Sequence, residues 1–497
     1  MEYFVNCNNS SLAIYTTPLD ASKAAHLYKR LGFSASIDTI NAAVGMTAST
    51  LVDQLINEAL ALPPTAPPAW ADWNNSNYPE DDAARRTLVN EQREEWRTTY
   101  GNDLLNNNLR DRLSFFWSNH FVTEVDIYNC NSFLYHYTNC LQRNALGNFK
   151  TFVSEIGLTD AMLYYLDGVF NNGNNPNENY ARELYELFTL GEGNAYTEED
   201  IIETAKALTG YVERGEIGCS PVMFDSTKHD TDSKTIFGQT DTFGYDGVID
   251  NLFDQRPTEI AGFICEKLYN FFVHPDAKDE ENNGNAKDVI RDLATTFVSN
   301  NFELAPVLSQ LFKSEHFFDD EAIGVIIKSP MDIFLNFIKE TNFAYTDVTV
   351  ASVVESSRML SQELFDPVDV AGWQRDRSWI NTNFMIGRWI TSAELIDQFW
   401  NNDEAQFRTF GIAATGINGA TTNDPSIVTK AIVDKLIPKP DGLFDYNTAN
   451  EVFRGPYENT GVFEDGDNSW NMTFENSPMQ VYLLFQHIVR QPEFQLK

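Results

Sequence analysis

NNPNENYARELYELFTLGEGNAYTEEDIIETAKALTGY, residues 174–211, reads as two helices joined by a glycine turn, and the fold class follows from that pattern. Pro176 and the asparagines around it hold an extended entry. Asn177 offers a side-chain cap to a helix with Glu178 in its first turn, where a carboxylate meets the positive end of the helix dipole. Leu184, Leu187 and Phe188 recur at helical spacing and form its apolar stripe. Gly191 and Gly193 stop it, because glycine takes left-handed backbone angles at little cost. Thr197 then opens a second helix as a capping box, with Glu198, Glu199 and Asp200 in the first turn, and Gly210 closes it. One face of the first helix is polar: Asn179, Arg182, Glu183 and Glu186 lie three or four residues apart. A solvated ion-pair face and a functional site both account for such a face.

The same periodicity extends in both directions. Leu19 to Leu31 reads as a helix entered through Asp20 or Ser22 and ended by Gly32, with His26 as a structural histidine. Ser36 to Leu60 gives one or two amphipathic helices, Pro63 to Trp70 a stiff proline-rich connector, and Asp82 to Tyr100 another helix. In DRLSFFWSNHF, Leu113, Phe116 and Trp117 mark a core helix that places Asn119 and His120 at its tip. Helical character continues from Tyr128 to Asp167, with Arg143 and Asn144 as polar interruptions. Val212 to Gly247 is the least helical part, rich in Gly, Ser, Thr and Asp, and predicts a small β-hairpin or ordered loops.

Beyond it, helices are expected from Gly247 to Val273, Lys287 to Asn300, Ala305 to Lys313 and after Pro330, with a last one at MQVYLLFQHIVRQPEF. The acidic loop at 276–288 partly resembles a calcium loop, but the closing Glu would fall on Ile290, which argues against that reading. Residues 401–475 are rich in Asn, Thr, Gly and Asp and read as loop-rich and acidic. The expected fold is mainly α, a large multi-helix domain with a small β-hairpin or ordered-loop insertion near 212–247. Residues 1–19 form an irregular leader, and 20–497 a single large helical domain.

The 497 residues, 42% of them hydrophobic, suffice for a large core. A net charge of −37 repels phosphate backbones and argues against nucleic acid as a partner. No run of about 18 apolar residues is present, so no membrane span is expected. The start, MEYFVNCNNSSLAIY, lacks the basic and apolar regions of a signal peptide. The five cysteines, at 7, 130, 140, 219 and 265, show neither CxxC spacing nor an even count, and buried free thiols are the expectation.

The central stretch resembles the signature of a bacterial family, domain-of-unknown-function family eighteen-hundred, whose form is roughly NYARELLELFTLG followed by YTEEDV and ALTGW. Other landmarks agree in order: KAAHLYKRLGF at 23–33, DRLSFFWSNHFVT at 111–123, RNALGNF at 143–149, KHDTDSKTIFG at 228–238, ELFDPVDVAGWQRDRSWIN at 363–381 and QPEFQ at 491–495. Most of 401–475 departs from the pattern. The resemblance implies a helical fold, frequent export to the periplasm or cell surface, and genes that lie beside those of sulfatase-like proteins. A leader removed before residue 1, or export with a signal-bearing partner, would reconcile export with this N-terminus.

GxGxxG, Walker, HExxH and GxSxG motifs are all missing, and the GEGNAY turn lacks the strand that a dinucleotide loop needs. What remains is a polar set from separate segments. Glu183, His120, His229 and Asp230 are the candidate catalytic groups, because a carboxylate near a histidine is the ordinary means of acid and base work. Asn179 and Arg182 suit an anionic or sugar-bearing substrate, and Trp373, Trp379 and Asn381 flank an arginine-aspartate cluster that could stack against one. The null for His229 and Asp230 is an Asp-stabilised turn, and for the indoles simple packing. No metal set is assigned and the cofactor stays open. Two functions fit: an envelope-associated hydrolase or transferase acting on a polysaccharide or a related anionic or sugar substrate, or a non-catalytic scaffold for a sulfatase-like partner.

Overall fold

The computed structural model describes residues 10–213, 218–277, 285–440, 442–458, 460, 462–463 and 469–497. At its centre is the helix Asn108–Ser118, in which every residue from Leu109 to Ser118 is buried. It is wrapped by Ala21–Leu31, Ala48–Ala61, Asp82–Asn106 and Asn131–Asn144. Its charges are all answered, as buried charges must be. Arg112 pairs with Asp332 at 2.7 Å between the rings of Phe33 and Phe271. Arg110 pairs with Asp111 at 2.8 Å.

Around this centre lie Pro257–Phe272 against Ala286–Ser299, and Pro330–Thr341 and Asp347–Met359 against the long helix Asp82–Asn106. The first helix runs Ala21–Leu31, capped by the Asp20 side chain and ended at Gly32. Inside it His26 Nε2 donates to the Phe317 carbonyl at 3.0 Å, a structural histidine. Among the described residues, strand content is confined to two short antiparallel two-stranded sheets. Tyr211–Glu213 pairs with Val222–Phe224, and Lys234–Ile236 with Gln239–Asp241. The protein is thus a large, mainly helical domain with its β-structure near 212–247.

Two expectations are corrected. The stretch 401–475 holds three helices, Ala405–Thr415, Pro425–Leu436 and Tyr446–Arg454. Phe407 and Phe410 of the first close on Phe343 and Phe485, and Val428, Ile432, Val433 and Leu436 form the buried face of the second. Polar composition hid this, because the exposed faces and the loops carry the Asn, Thr and Asp. Secondly, Cys130 and Cys219 form a disulfide across 89 residues, while Cys140 and Cys265 are free and buried. The acidic segment 278–284, most of the acidic run FEDGDNSW and Cys7 lie outside the described residues.

Candidate functional site

The first signature helix begins at Asn179, one residue later than expected, with Glu178 at its N-cap position and the Asn177 side chain accepting from the Asn179 amide at 2.9 Å. After Asn179–Glu183 it widens into a π-helical turn, Leu184–Thr189, where the Leu190 amide reaches back five residues to the Tyr185 carbonyl at 2.8 Å. Widening breaks the regular ladder and leaves carbonyls for other donors. The Thr189 hydroxyl takes Leu184 O at 2.5 Å, Lys267 takes Leu187 O at 3.1 Å and His120 takes Phe188 O at 3.0 Å. Gly191 ends the turn at φ +93°, where a side chain would meet the Phe263 ring.

His120 therefore has its tautomer set by its partners. Nε2 faces a carbonyl and must carry the proton, so Nδ1 accepts from the Lys267 ammonium at 3.1 Å. Burial, then the nearby Lys267 charge, holds the imidazole well below its ordinary pKa, so it is neutral. Lys267 lies over the Phe263 ring at 4.5 Å. Its pKa is brought down to about 7 by burial and by Arg375. The Arg375 guanidinium makes no hydrogen bond or ion pair with another described residue; it is exposed at the surface, and the groups packed around it lower its pKa.

Arg375 lines a pocket of about 200 Å³ between the tip of the central helix and the loop 362–379, walled by the rings of Phe115, Phe116, Phe271, Trp373 and Trp379. The loop is fixed at Gly372, whose φ of +86° and closeness to Asn119 admit no side chain. The Trp373 amide donates to Asn119 Oδ1 at 2.6 Å and its indole to Glu363 O at 3.0 Å. Trp373 and Trp379 are both 5% exposed, so they act as walls and not as an open platform. A wider groove of about 1100 Å³, including Gly191, Phe263 and Glu266, runs along Pro257–Phe272.

Beside the signature helix lies an acidic group. Glu183 is half-buried and hydrogen-bonds to no described residue. Burial and the neighbouring Glu186 raise its pKa, against the pull of Arg182. Tyr165 donates to Glu124 at 2.7 Å, and after burial the charges of Glu124, Asp369 and Glu183 raise its phenol pKa. Asp369 and Arg375 belong to one loop, so that loop joins the acidic group to the basic one at Lys267. One helical turn separates Glu183 from Leu187, whose carbonyl holds Lys267.

The other candidates lie elsewhere or are engaged. Arg182 is shared among Glu178, Glu186 and Glu198 at 2.8–3.3 Å, tying the two signature helices together at the surface. Asn179 donates to Asp167 at 3.2 Å. His229 Nδ1 bonds the Thr209 carbonyl at 2.9 Å, and Asp230 pairs with Lys234 at 3.2 Å. Both pin the end of the second signature helix, and no contact joins them to His120 or Glu183. Burial opposes ionisation of Asp230, but the Asp232 amide and Lys234 leave its pKa lowered. Asn381 caps the helix Thr382–Asn402 through the Phe384 amide at 3.0 Å. The structure thus ties His120 to the signature helix through Phe188 O and sets it near Lys267 and Arg375, leaves Glu183 one turn earlier on that helix, and engages Arg182, His229, Asp230 and Asn381 in local contacts. Lys267, Glu124 and Tyr165 were missed in the sequence; a single lysine inside the apolar run GFICEKLYNFFV was the available signal for the first.

Among the described residues no cluster of three His, Cys, Asp or Glu side chains suits a metal ion, and no helix is long and apolar enough to cross a membrane. A family model described as "Protein of unknown function (DUF1800)" matches residues 26–496. No curated protein and no solved structure matches.

Proposed function

The chain belongs to the DUF1800 family, and on that premise we propose that it is an envelope-associated hydrolase or transferase acting on a polysaccharide or related anionic or sugar substrate beside the signature helix. The observation that carries this reading is Glu183. A half-buried carboxyl with no side-chain hydrogen-bond partner among the described residues, its pKa raised by burial and by Glu186, is suited to give a proton to a leaving oxygen. Glu124, oriented by Tyr165, supplies a second carboxylate nearby. His120 acts through Lys267 and not on substrate, since both its ring nitrogens are occupied. Placement in the envelope is supported by the Cys130–Cys219 bond, because disulfides persist in oxidising compartments.

The test is turnover of a polysaccharide panel, read as new reducing ends or transferred products, by wild type and Glu183→Gln. Loss of an acid or base group lowers the rate by roughly 10²–10⁴-fold. A Glu183→Gln protein with wild-type turnover removes the proposal. The alternative, a scaffold for a sulfatase-like partner, is favoured by the complete pairing of Arg182. It predicts partner binding unchanged in Glu183→Gln and no turnover by wild type.

A further inference from the structure

The aromatic pocket beside Arg375 has an asymmetry in its hydrogen-bonding groups. Four amide side chains line it, and in Asn119, Asn270 and Gln362 the orientation is fixed by a backbone N–H that donates to the side-chain oxygen. Asn119 Oδ1 accepts from Trp373 at 2.6 Å, Asn270 Oδ1 from Ala277 at 3.0 Å and Gln362 Oε1 from Met331 at 2.9 Å. A backbone N–H can meet only the oxygen end of an amide, so in all three the NH₂ group is left over. None of the three NH₂ groups has a partner among the described residues, and none is sealed from solvent. Donors that keep access to one cavity are free to meet the acceptors of a ligand that enters it.

Charge points the same way. Asp332 at the pocket floor is saturated, with Arg112 at 2.7 Å, Lys497 at 2.5 Å and the Ser329 amide and hydroxyl around it. Arg375 is left without a carboxylate, and a guanidinium offers a planar fork matched to a carboxylate or sulfate. Asp376 and Gln374 on the lining have no side-chain partner among the described residues, and the Asp376 carboxylate suits a hydroxyl. The aromatic walls supply apolar faces, and about 200 Å³ is below the roughly 300–1,000 Å³ of pockets for drug-sized ligands. That space suits one ring.

We propose that this pocket is a recognition site for a single acidic sugar residue, a pyranose bearing a carboxylate or sulfate, with Arg375 taking the anionic group and the three amides taking ring and hydroxyl oxygens. This rests on the sugar-acting reading of the signature-helix site and assigns that substrate its charge. In a chain of net charge −37, an anionic ligand is held by such local donors against the general field.

Calorimetric titration of the full chain with glucuronate, glucose 6-sulfate, glucose and inorganic sulfate tests it, using wild type, Arg375→Gln, Gln362→Glu and Glu183→Gln. The acidic sugars are expected to bind wild type at least tenfold more tightly than glucose or sulfate. Arg375→Gln, a change at an exposed side chain, is expected to weaken them tenfold or more and to abolish the preference over glucose. Gln362→Glu keeps the acceptor for Met331 and replaces the donor with a like charge; it is expected to weaken them as well, with thermal melting as the folding control. Glu183→Gln is expected to bind as wild type does. The proposal is overturned if neither acidic sugar binds, if inorganic sulfate binds as well as they do, or if Arg375→Gln binds like wild type. Intact binding with no turnover on any polysaccharide would remove the enzyme reading alone.

Discussion

At the scale of single residues, Gly372 has little freedom to change. Its φ is +86° and a β-carbon would stand 2.3 Å from Asn119 Oδ1 and 2.9 Å from the Asn119 carbonyl. Gly372→Ala is therefore expected to cost at least about 2 kcal/mol in urea unfolding, from strain and displacement together. Lys267 sets a pH dependence. Folded, it holds its proton only below about 7, whereas its ordinary value is 10.5. Between those values the unfolded chain binds more protons, so stability rises with pH. Relative to Lys267→Met, the wild type should gain up to about 1.4 kcal/mol per pH unit across that window, with no change in the difference at lower pH. A flat difference above pH 7 would mean that the lysine is charged in the fold. Residue roles were legible where the partner is local in sequence, as for Thr197 with Asp200. They were not legible for Asn381, whose cap to Phe384 looks like a binding group when only its tryptophan neighbours are in view.

At the scale of elements, the signature helix is where the sequence reading falls short. Leu184, Leu187 and Phe188 suit an α-helical stripe, and nothing in their spacing reveals the π turn. That turn is set by long-range donors, His120 and Lys267, which replace the lost ladder bonds. Removing one should be felt across the turn. His120→Ala leaves Phe188 O without its donor and a cavity among aromatic rings, and is expected to cost roughly 2–4 kcal/mol. Hydrogen exchange of the Leu190 and Gly191 amides should accelerate in that variant; unchanged exchange would show that the turn holds without its donors. Arg182→Ala should cost less than His120→Ala, and its effect should shrink further in molar salt, because that network is at the surface. The helices of 401–475 escaped notice for a different reason: Asp424 and Asp445, read as acidic loop, are their N-caps.

At the scale of the whole molecule, the mainly helical class and the site of the β-hairpins followed from periodicity, because each helix carries its own apolar stripe and caps. The disulfide did not. Five cysteines give no pairing, and a bond across 89 residues depends on tertiary approach alone. Closing so long a loop is worth about 4–5 kcal/mol in the chain-entropy account. Cys130→Ser with Cys219→Ser, or reduction by a thiol, should lower the melting temperature accordingly; an unchanged melt in reductant would show that the fold is held by packing alone.

The bond joining Cys130 to Cys219 encloses the whole of the signature stretch within one covalent ring. A protease that cuts once anywhere inside that ring opens it without releasing a fragment. The nicked protein keeps its full mass on a gel run without reductant and separates into two bands only when thiol is added.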